Sequence, residues 1–162
     1  MEHLSDKELK RVDTYRSLLT ALNVGIEDLL GPASKGLIFN TGVEEGRRLA
    51  QDMNKTNALL PAIDLVNEAY EGVWSIELRK NGDDQSYFYE DDLNQPSVNI
   101  MVRDCPVRTA VTNNGMHQCG PICYLTNGYL AGMLEVLMGE KVGIEILHAG
   151  PLACKKRIYF RK

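Results

Sequence analysis

The first 70 residues carry apolar side chains at helical spacing, with a few clear breaks. Ser5 and Glu8 form a capping-box pattern that predicts a helix start, and the apolar stripe of that helix ends before Gly25. Three further helices are predicted after this glycine, at 26–30, 31–53 and 56–70. The chain is therefore expected to begin with a group of helices.

The third predicted helix has a face of small residues: Ala33, Gly36, Gly42, Gly46 and Ala50. Each interior glycine makes a helix less favourable than alanine by about 1 kcal/mol. A helix that keeps three of them is expected to pack closely against another backbone. That backbone belongs either to a second copy of the chain or to another helix of the same chain, and the sequence leaves both open.

From Trp74 onward, apolar and polar residues alternate in the manner of half-buried strands. Asn81 and Gly82 form a strong hairpin signal between the first two of these strands. Strands are predicted at 74–78, 87–89, 98–102, 142–146 and 155–161. This order predicts an α+β fold: an antiparallel β-sheet covered by helices, with N-terminal helices followed by a strand meander, a helix and two C-terminal strands. The 162 residues are expected to form a single domain.

The helix before the last two strands is strongly apolar. Its stripe consists of Tyr129, Leu130, Met133, Leu134, Leu137 and Met138. Pro121 suits its first turn and Gly139 suits its end. Gly128 and Gly132 are four residues apart and share one face, so another backbone is expected to approach closely there.

Composition and charge limit the classes of function. A net charge of −4 with 44% hydrophobic residues is ordinary for a globular chain, and no basic face for nucleic acid is evident. Several basic residues near the end are interpreted as a solvated strand face and tail: Lys155, Lys156, Arg157, Arg161 and Lys162. The chain has no run of about 18 apolar residues and no signal peptide, so we expect a cytoplasmic protein without a membrane span. It has no P-loop, nucleophile elbow or dinucleotide fingerprint, so no catalytic constellation is visible.

Potential metal ligands lie at the joints of the last helix and strands: Cys123, Glu145, His148 and Cys154. Cys123 is in the first helical turn, where the thiolate that binds metal is stabilised. Glu145 and His148 are three residues apart, so they converge only if the strand bulges or ends by about residue 147. From spacing alone, buried core cysteines are the simpler interpretation.

The same residues belong to a longer pattern. The run C-x4-G-Y-L-A-G-x-L from Cys123, the strand E-x-x-H and the cysteine that opens the last strand resemble the 4-vinyl reductase domain over about residues 98–161. That family includes archaeal hydrocarbon-binding proteins and the sensor domains of phenol-responsive transcription activators. The resemblance implies a structural zinc ion with four protein ligands: Cys123, Glu145, His148 and Cys154.

Two departures from the family's pattern affect this zinc site. His148 stands where the phenol sensors have a cysteine, which zinc accepts readily. The spacing from His148 to Cys154 is also two residues shorter than in the family. Cys119 and His117 are therefore the alternates for the last ligand.

The resemblance further implies a module that binds a hydrophobic or aromatic small molecule, with a regulatory role as one option. We expect an apolar cavity between the strand 74–78 and the helix 128–138, lined by Trp74, Phe39, Tyr129 and Met133; Tyr87, Phe88 and Tyr89 are further aromatic candidates. A homodimer is expected, since the family commonly pairs. Two alternatives remain: an enzyme or enzyme partner that acts on a tetrapyrrole vinyl group, and an assembly protein related to trafficking-complex subunits.

Overall fold

The computed structural model describes residues 5–71, 73–81, 86–105, 107–108 and 119–161. The helices in this part of the chain are α1 (Asp6–Leu30), α2 (Ser34–Leu49), α3 (Leu59–Ala69) and α4 (Pro121–Met138). The strands are β1 (Ser75–Arg79), β2 (Phe88–Glu90), β3 (Pro96–Arg103), β4 (Val142–Ala149) and β5 (Cys154–Phe160). This order confirms the predicted α+β class. None of the helices in the described ranges is both long and apolar enough to cross a membrane.

The first helix begins at the predicted capping box. The Ser5 backbone N–H donates to the Glu8 carboxylate at 2.8 Å, and the Glu8 backbone N–H donates to the Ser5 hydroxyl at 3.4 Å. α1 then continues past Gly25 as far as Leu30, so the separate short helix predicted at 26–30 is part of α1. A single interior glycine costs only about 1 kcal/mol, which is too little to end a long helix.

The sheet is antiparallel, in the order β1-β3-β5-β4, and β2 also pairs with β3. Directly paired residues point to the same face of a sheet. The register pairs Val98 with Ile158 and Ile158 with Ile144, so these residues define one apolar face. We call it the inner face, because α3 and α4 pack on it. The opposite, outer face carries most of the polar and charged positions of the same strands, among them Glu77, Arg157 and Glu145.

α4 is the central helix, and it lies between the inner face and α2. An added Cβ on Gly128 or Gly132 would overlap the backbone of α2, and one on Gly42 or Gly46 would overlap the backbone of α4. The close backbone contacts that were predicted separately for α2 and for α4 are therefore one contact, between these two helices of the same chain. A Cβ on Gly36 would meet open space. The small face of α2 consequently gives no reason to expect a second copy there.

Candidate functional site

An apolar groove opens where α3 begins and α4 ends. Its volume is about 550 Å³, and its main apolar side chains are Leu60, Leu78, Tyr87, Phe88, Met138 and Phe160. Asn57 and Glu140 contribute polar groups. We call this site the apolar groove, and it has the size and lining of sites that bind small molecules.

The apolar groove lies beyond the C-terminal end of α4, beside the first turn of α3. α4 ends at Met138, since Gly139 takes the left-handed conformation at φ 72°. Beyond this end, the inner-face rings of Phe88 and Phe160 line the groove and lie 6.4 Å apart between their centroids. Leu60, in the first turn of α3, remains 54% exposed at the side of the groove. These apolar side chains are thus available to a ligand.

Two of the predicted pocket residues, Trp74 and Tyr129, pack on each other and on Tyr70 rather than lining this groove. The ring of Trp74 lies 5.6 Å from that of Tyr129 and 5.5 Å from that of Tyr70, and the Tyr70 and Tyr129 hydroxyls are 3.0 Å apart. Burial raises the pKa of Tyr129, and Met133 is fully buried. The apolar groove is instead lined by Leu78, the last residue of the predicted strand, and by Met138, the last residue of the predicted helix. Tyr87 and Phe88 also line it.

Phe39, the fourth predicted pocket residue, lines a different groove. This second groove has a volume of about 510 Å³ and lies between the start of α2, the start of α4 and β4. Its aromatic and charged residues include Lys35, Phe39, Tyr124, Tyr159 and Arg161. We call it the tyrosine groove.

Three cysteines lie around a buried lysine on the inner face of the sheet. Cys105, Cys123 and Cys154 line a cavity of about 20 Å³ with Lys156, which is room for one water-sized group. Lys156 is only 5% exposed and donates a hydrogen bond of 2.6 Å to Oδ1 of Asn127. Burial lowers the pKa of the Lys156 ammonium and raises the pKa of the Cys123 thiol. We call these residues the thiol cluster.

Polar atoms around the thiol cluster are incompletely paired. Nδ2 of Asn127 and Nε of Arg108 are buried and have no hydrogen-bond partner among the described residues. Another nitrogen of Arg108 donates to the Cys154 sulfur at 3.6 Å. Lys156 itself was predicted to lie on a solvated face, and that is wrong. It pairs with Ile100 in the register of β3 and β5, which places it on the inner face.

Glu145 and His148 share a face of the sheet, because β4 is bulged at residue 147. This is the condition that their spacing required. The face is the outer one, however, since Glu145 pairs with Arg157 and His148 pairs with Lys155. The Glu145 carboxylate also forms a salt bridge with the Arg157 guanidinium. Both predicted ligands therefore point away from the helices.

The two predicted cysteine ligands lie on the other side. Cys154 pairs with Val102 and alternates with Lys155, so it points to the inner face, where it meets Cys123 and Lys156. The sheet thus separates Cys123 and Cys154 from Glu145 and His148. In this arrangement the four residues do not fit one tetrahedral ion.

Of the two alternate ligands, only Cys119 falls within the described residues. His117 lies outside the described residues. Cys119 precedes α4 with a φ of 75°, and burial raises the pKa of its thiol. Within the described ranges, no three His, Cys, Asp or Glu residues are grouped so that they could hold a metal ion.

No family model matches this chain, and no curated protein sequence is similar to it. Among solved structures, the fold is similar to that of the phenol-responsive sensory domain of the transcription activator PoxR with phenol. The TM-score is 0.59 and the sequence identity 20%, and the match covers 90% of this chain and 73% of that chain. At this identity the likeness shows a shared fold.

Proposed function

We propose that this chain is a ligand-binding module with a regulatory role, and that its apolar groove takes a neutral hydrophobic or aromatic small molecule. The observation that carries the proposal is the groove itself, whose volume of about 550 Å³ falls in the range of small-molecule sites. The fold of a phenol-responsive sensory domain supports it. The sequence resemblance to 4-vinyl reductase domains supports the same class and stays a prediction.

The lining of the apolar groove favours a neutral ligand. Among the described lining residues, Glu140 is the one carboxylate, and the other polar side chains, Asn57 and Tyr87, are uncharged. An anion would be repelled by Glu140, whereas an aromatic ring would contact Phe88, Phe160 and Met138. Tyr87, which lines the groove, is the candidate hydrogen-bond partner for a ligand that carries one polar group.

A direct test uses phenol and naphthalene as probes in an NMR titration. We expect saturable shifts at Phe88, Met138 and Phe160. The variant Leu60→Asp places a charge in the groove and should abolish them, while Leu37→Asp should not, because Leu37 is similarly exposed (58% against 54%) but lies outside it. The proposal would be contradicted if phenol showed no saturable binding at millimolar concentration and naphthalene showed none up to its solubility in water, or if binding survived Leu60→Asp.

A homodimer is part of the proposal, and α1 is the surface that supports it. Tyr15, Leu18, Leu22 and Leu29 recur at helical spacing along α1 and are 63%, 57%, 58% and 85% exposed. An apolar stripe of this length on a surface helix is typical of an interaction site. The same stripe also favours the assembly-protein alternative, in which a different chain would cover it. No observation among the described residues favours the tetrapyrrole alternative.

Zinc binding remains a proposal, but the ligands that would join Cys123 and Cys154 are no longer those that the resemblance implies. Cys123 and Cys154 lie on the same cavity, but the Lys156 ammonium is there with them and repels a cation. An ion bound by these thiolates would require Lys156 to leave its place beside Asn127. It would also require ligands other than Glu145 and His148, unless the end of β4 rearranges. Metal analysis of the purified protein decides whether any zinc is bound.

A further inference from the structure

Lys35 and Arg161 of the tyrosine groove each lie against a tyrosine ring. The Lys35 ammonium lies 5.3 Å from the centre of the Tyr124 ring, and the Arg161 guanidinium lies 5.5 Å from the centre of the Tyr159 ring and donates to its hydroxyl at 3.2 Å. Neither forms a salt bridge with a carboxylate of the described residues. Glu145 is the one carboxylate among the described residues that line the groove, and it is already paired with Arg157. The groove therefore carries uncompensated positive charge beside aromatic rings.

A glycine brings Tyr159 into this groove from the neighbouring strand. Tyr159 on β5 pairs with Gly143 on β4, and a Cβ on Gly143 would overlap the Tyr159 ring. The ring consequently lies across Gly143 and extends toward the edge of the sheet, which β4 forms. Ile144 and Ile146 supply apolar surface beside it.

The helical side of the groove is open. α2 is held against α4 at Gly42 and Gly46, farther along the helix, while Gly36 at its start borders the groove. A Cβ added on Gly36 would meet no atom within 4 Å. Space is thus available between the start of α2 and the edge strand.

From these features we infer that the tyrosine groove is a second binding site, which takes an aromatic carboxylate. The ring of such a ligand would pack between Tyr124 and Tyr159, and its carboxylate would pair with Lys35 and Arg161. The volume of about 510 Å³ accommodates a molecule of one or two fused rings. The tyrosine groove would thus prefer an anion, whereas the apolar groove, which carries Glu140, would repel one.

The site is tested by an NMR titration with benzoate and 2-naphthoate, with benzamide as the uncharged control. We expect both acids to shift the signals of Tyr124, Tyr159 and Ile146, and benzamide to bind at least about tenfold more weakly. Lys35→Gln and Arg161→Gln should each weaken 2-naphthoate about tenfold. Lys155→Gln should change the affinity less than about twofold, because Lys155 is an exposed cation of β5 outside the groove.

A pair of glycine variants tests the location independently of charge. Gly36→Leu should fill the groove and abolish naphthoate binding, while Gly25→Leu, which also enters open space in a helix, should leave it unchanged. Thermal unfolding would show that both variants fold. The inference is overturned if neither acid binds at millimolar concentration, if benzamide binds equally well, or if binding survives Gly36→Leu. Because phenol and naphthalene binding is read at Phe88 and Met138, failure here and failure of the proposed function remain distinguishable.

Discussion

The ammonium of Lys156 donates a hydrogen bond of 2.6 Å to Oδ1 of Asn127, a residue with no exposed surface. Their contact joins the inner face of β5 to the middle of α4. It also holds a cation among the thiols of the thiol cluster, in a cavity with no carboxylate among its described lining residues. A buried charge without an opposite charge lowers the stability of the folded state. Substitutions of this pair should therefore change the free energy of unfolding measurably.

Replacing the pair by apolar residues should stabilise the protein. We expect the double variant Lys156→Met with Asn127→Leu to raise the free energy of unfolding by about 1 to 3 kcal/mol, because it removes a desolvated charge and a partly unpaired amide. Lys156→Met alone should be less stable than the double variant, since it leaves Oδ1 of Asn127 without its donor. Urea denaturation measures both, with the exposed neighbour change Lys155→Met as the control. A double variant less stable than the parent chain would show that the charge is compensated.

Metal analysis of variants separates the two sides of the sheet. If zinc is bound at the thiol cluster, Cys123→Ser should remove it and Glu145→Gln should not, because Glu145 points to the outer face. Lys156→Met should then increase zinc affinity, as it removes a competing cation. Loss of zinc in Glu145→Gln would instead support the ligand set implied by the family. Purified protein with no zinc would contradict both.

Two glycines of α2 should respond to alanine in opposite directions. Gly42→Ala inserts a methyl group into the backbone of α4, so the free energy of unfolding should fall by about 1 to 3 kcal/mol. Gly36→Ala meets open space in the same helix and should raise it by about 0.5 to 1 kcal/mol. Thermal and urea unfolding provide the comparison. If Gly42→Ala were harmless, the contact between α2 and α4 would be looser than described.

Association is expected to depend on α1. The double variant Leu18→Glu with Leu22→Glu should convert the dimer to a monomer, because it places four like charges in a paired apolar stripe. Unfolding of the monomer should change little, since both side chains are more than half exposed. Sedimentation velocity at micromolar concentration provides the measurement, with Leu37→Glu as the control. A parent chain that sediments as a monomer would remove the homodimer from the proposal.

Acid should destabilise the turn between β2 and β3. The Asp91 carboxylate accepts hydrogen bonds of 2.9 Å from the backbone N–H groups of Gln95 and Leu93, and the bond from Gln95 contributes most to holding its pKa below the ordinary value. The folded state therefore binds this proton less readily than the unfolded chain does. The stabilisation is complete above about pH 4 and is lost as the pH falls through the lowered pKa. Asp91→Asn should make unfolding less dependent on pH in this range, and an unchanged profile would argue against it.

Signals confined to a few neighbouring residues were sufficient to predict most elements. The Ser5 and Glu8 capping box starts α1, and Gly139 ends α4 in the left-handed conformation, because each depends only on hydrogen bonds or dihedral angles within one turn. The change from helical to alternating periodicity near Trp74 likewise predicted the strands and the α+β order. Gly42 and Gly46 correctly indicated a close backbone contact.

Only the tertiary structure shows which side chains distant in sequence lie against one another. The spacing of Glu145 and His148 showed that they need a bulge to converge, and the bulge is present. The spacing could not show that Cys154 lies on the opposite face of the sheet. That outcome depends on the register between β4 and β5, where a shift of one residue reverses every side chain. Lys156 is buried for the same reason: Ile100 across the sheet and Asn127 on a helix 29 residues earlier decide its surroundings. A charge in a basic run favours solvent by itself, and only contacts distant in sequence can outweigh that preference.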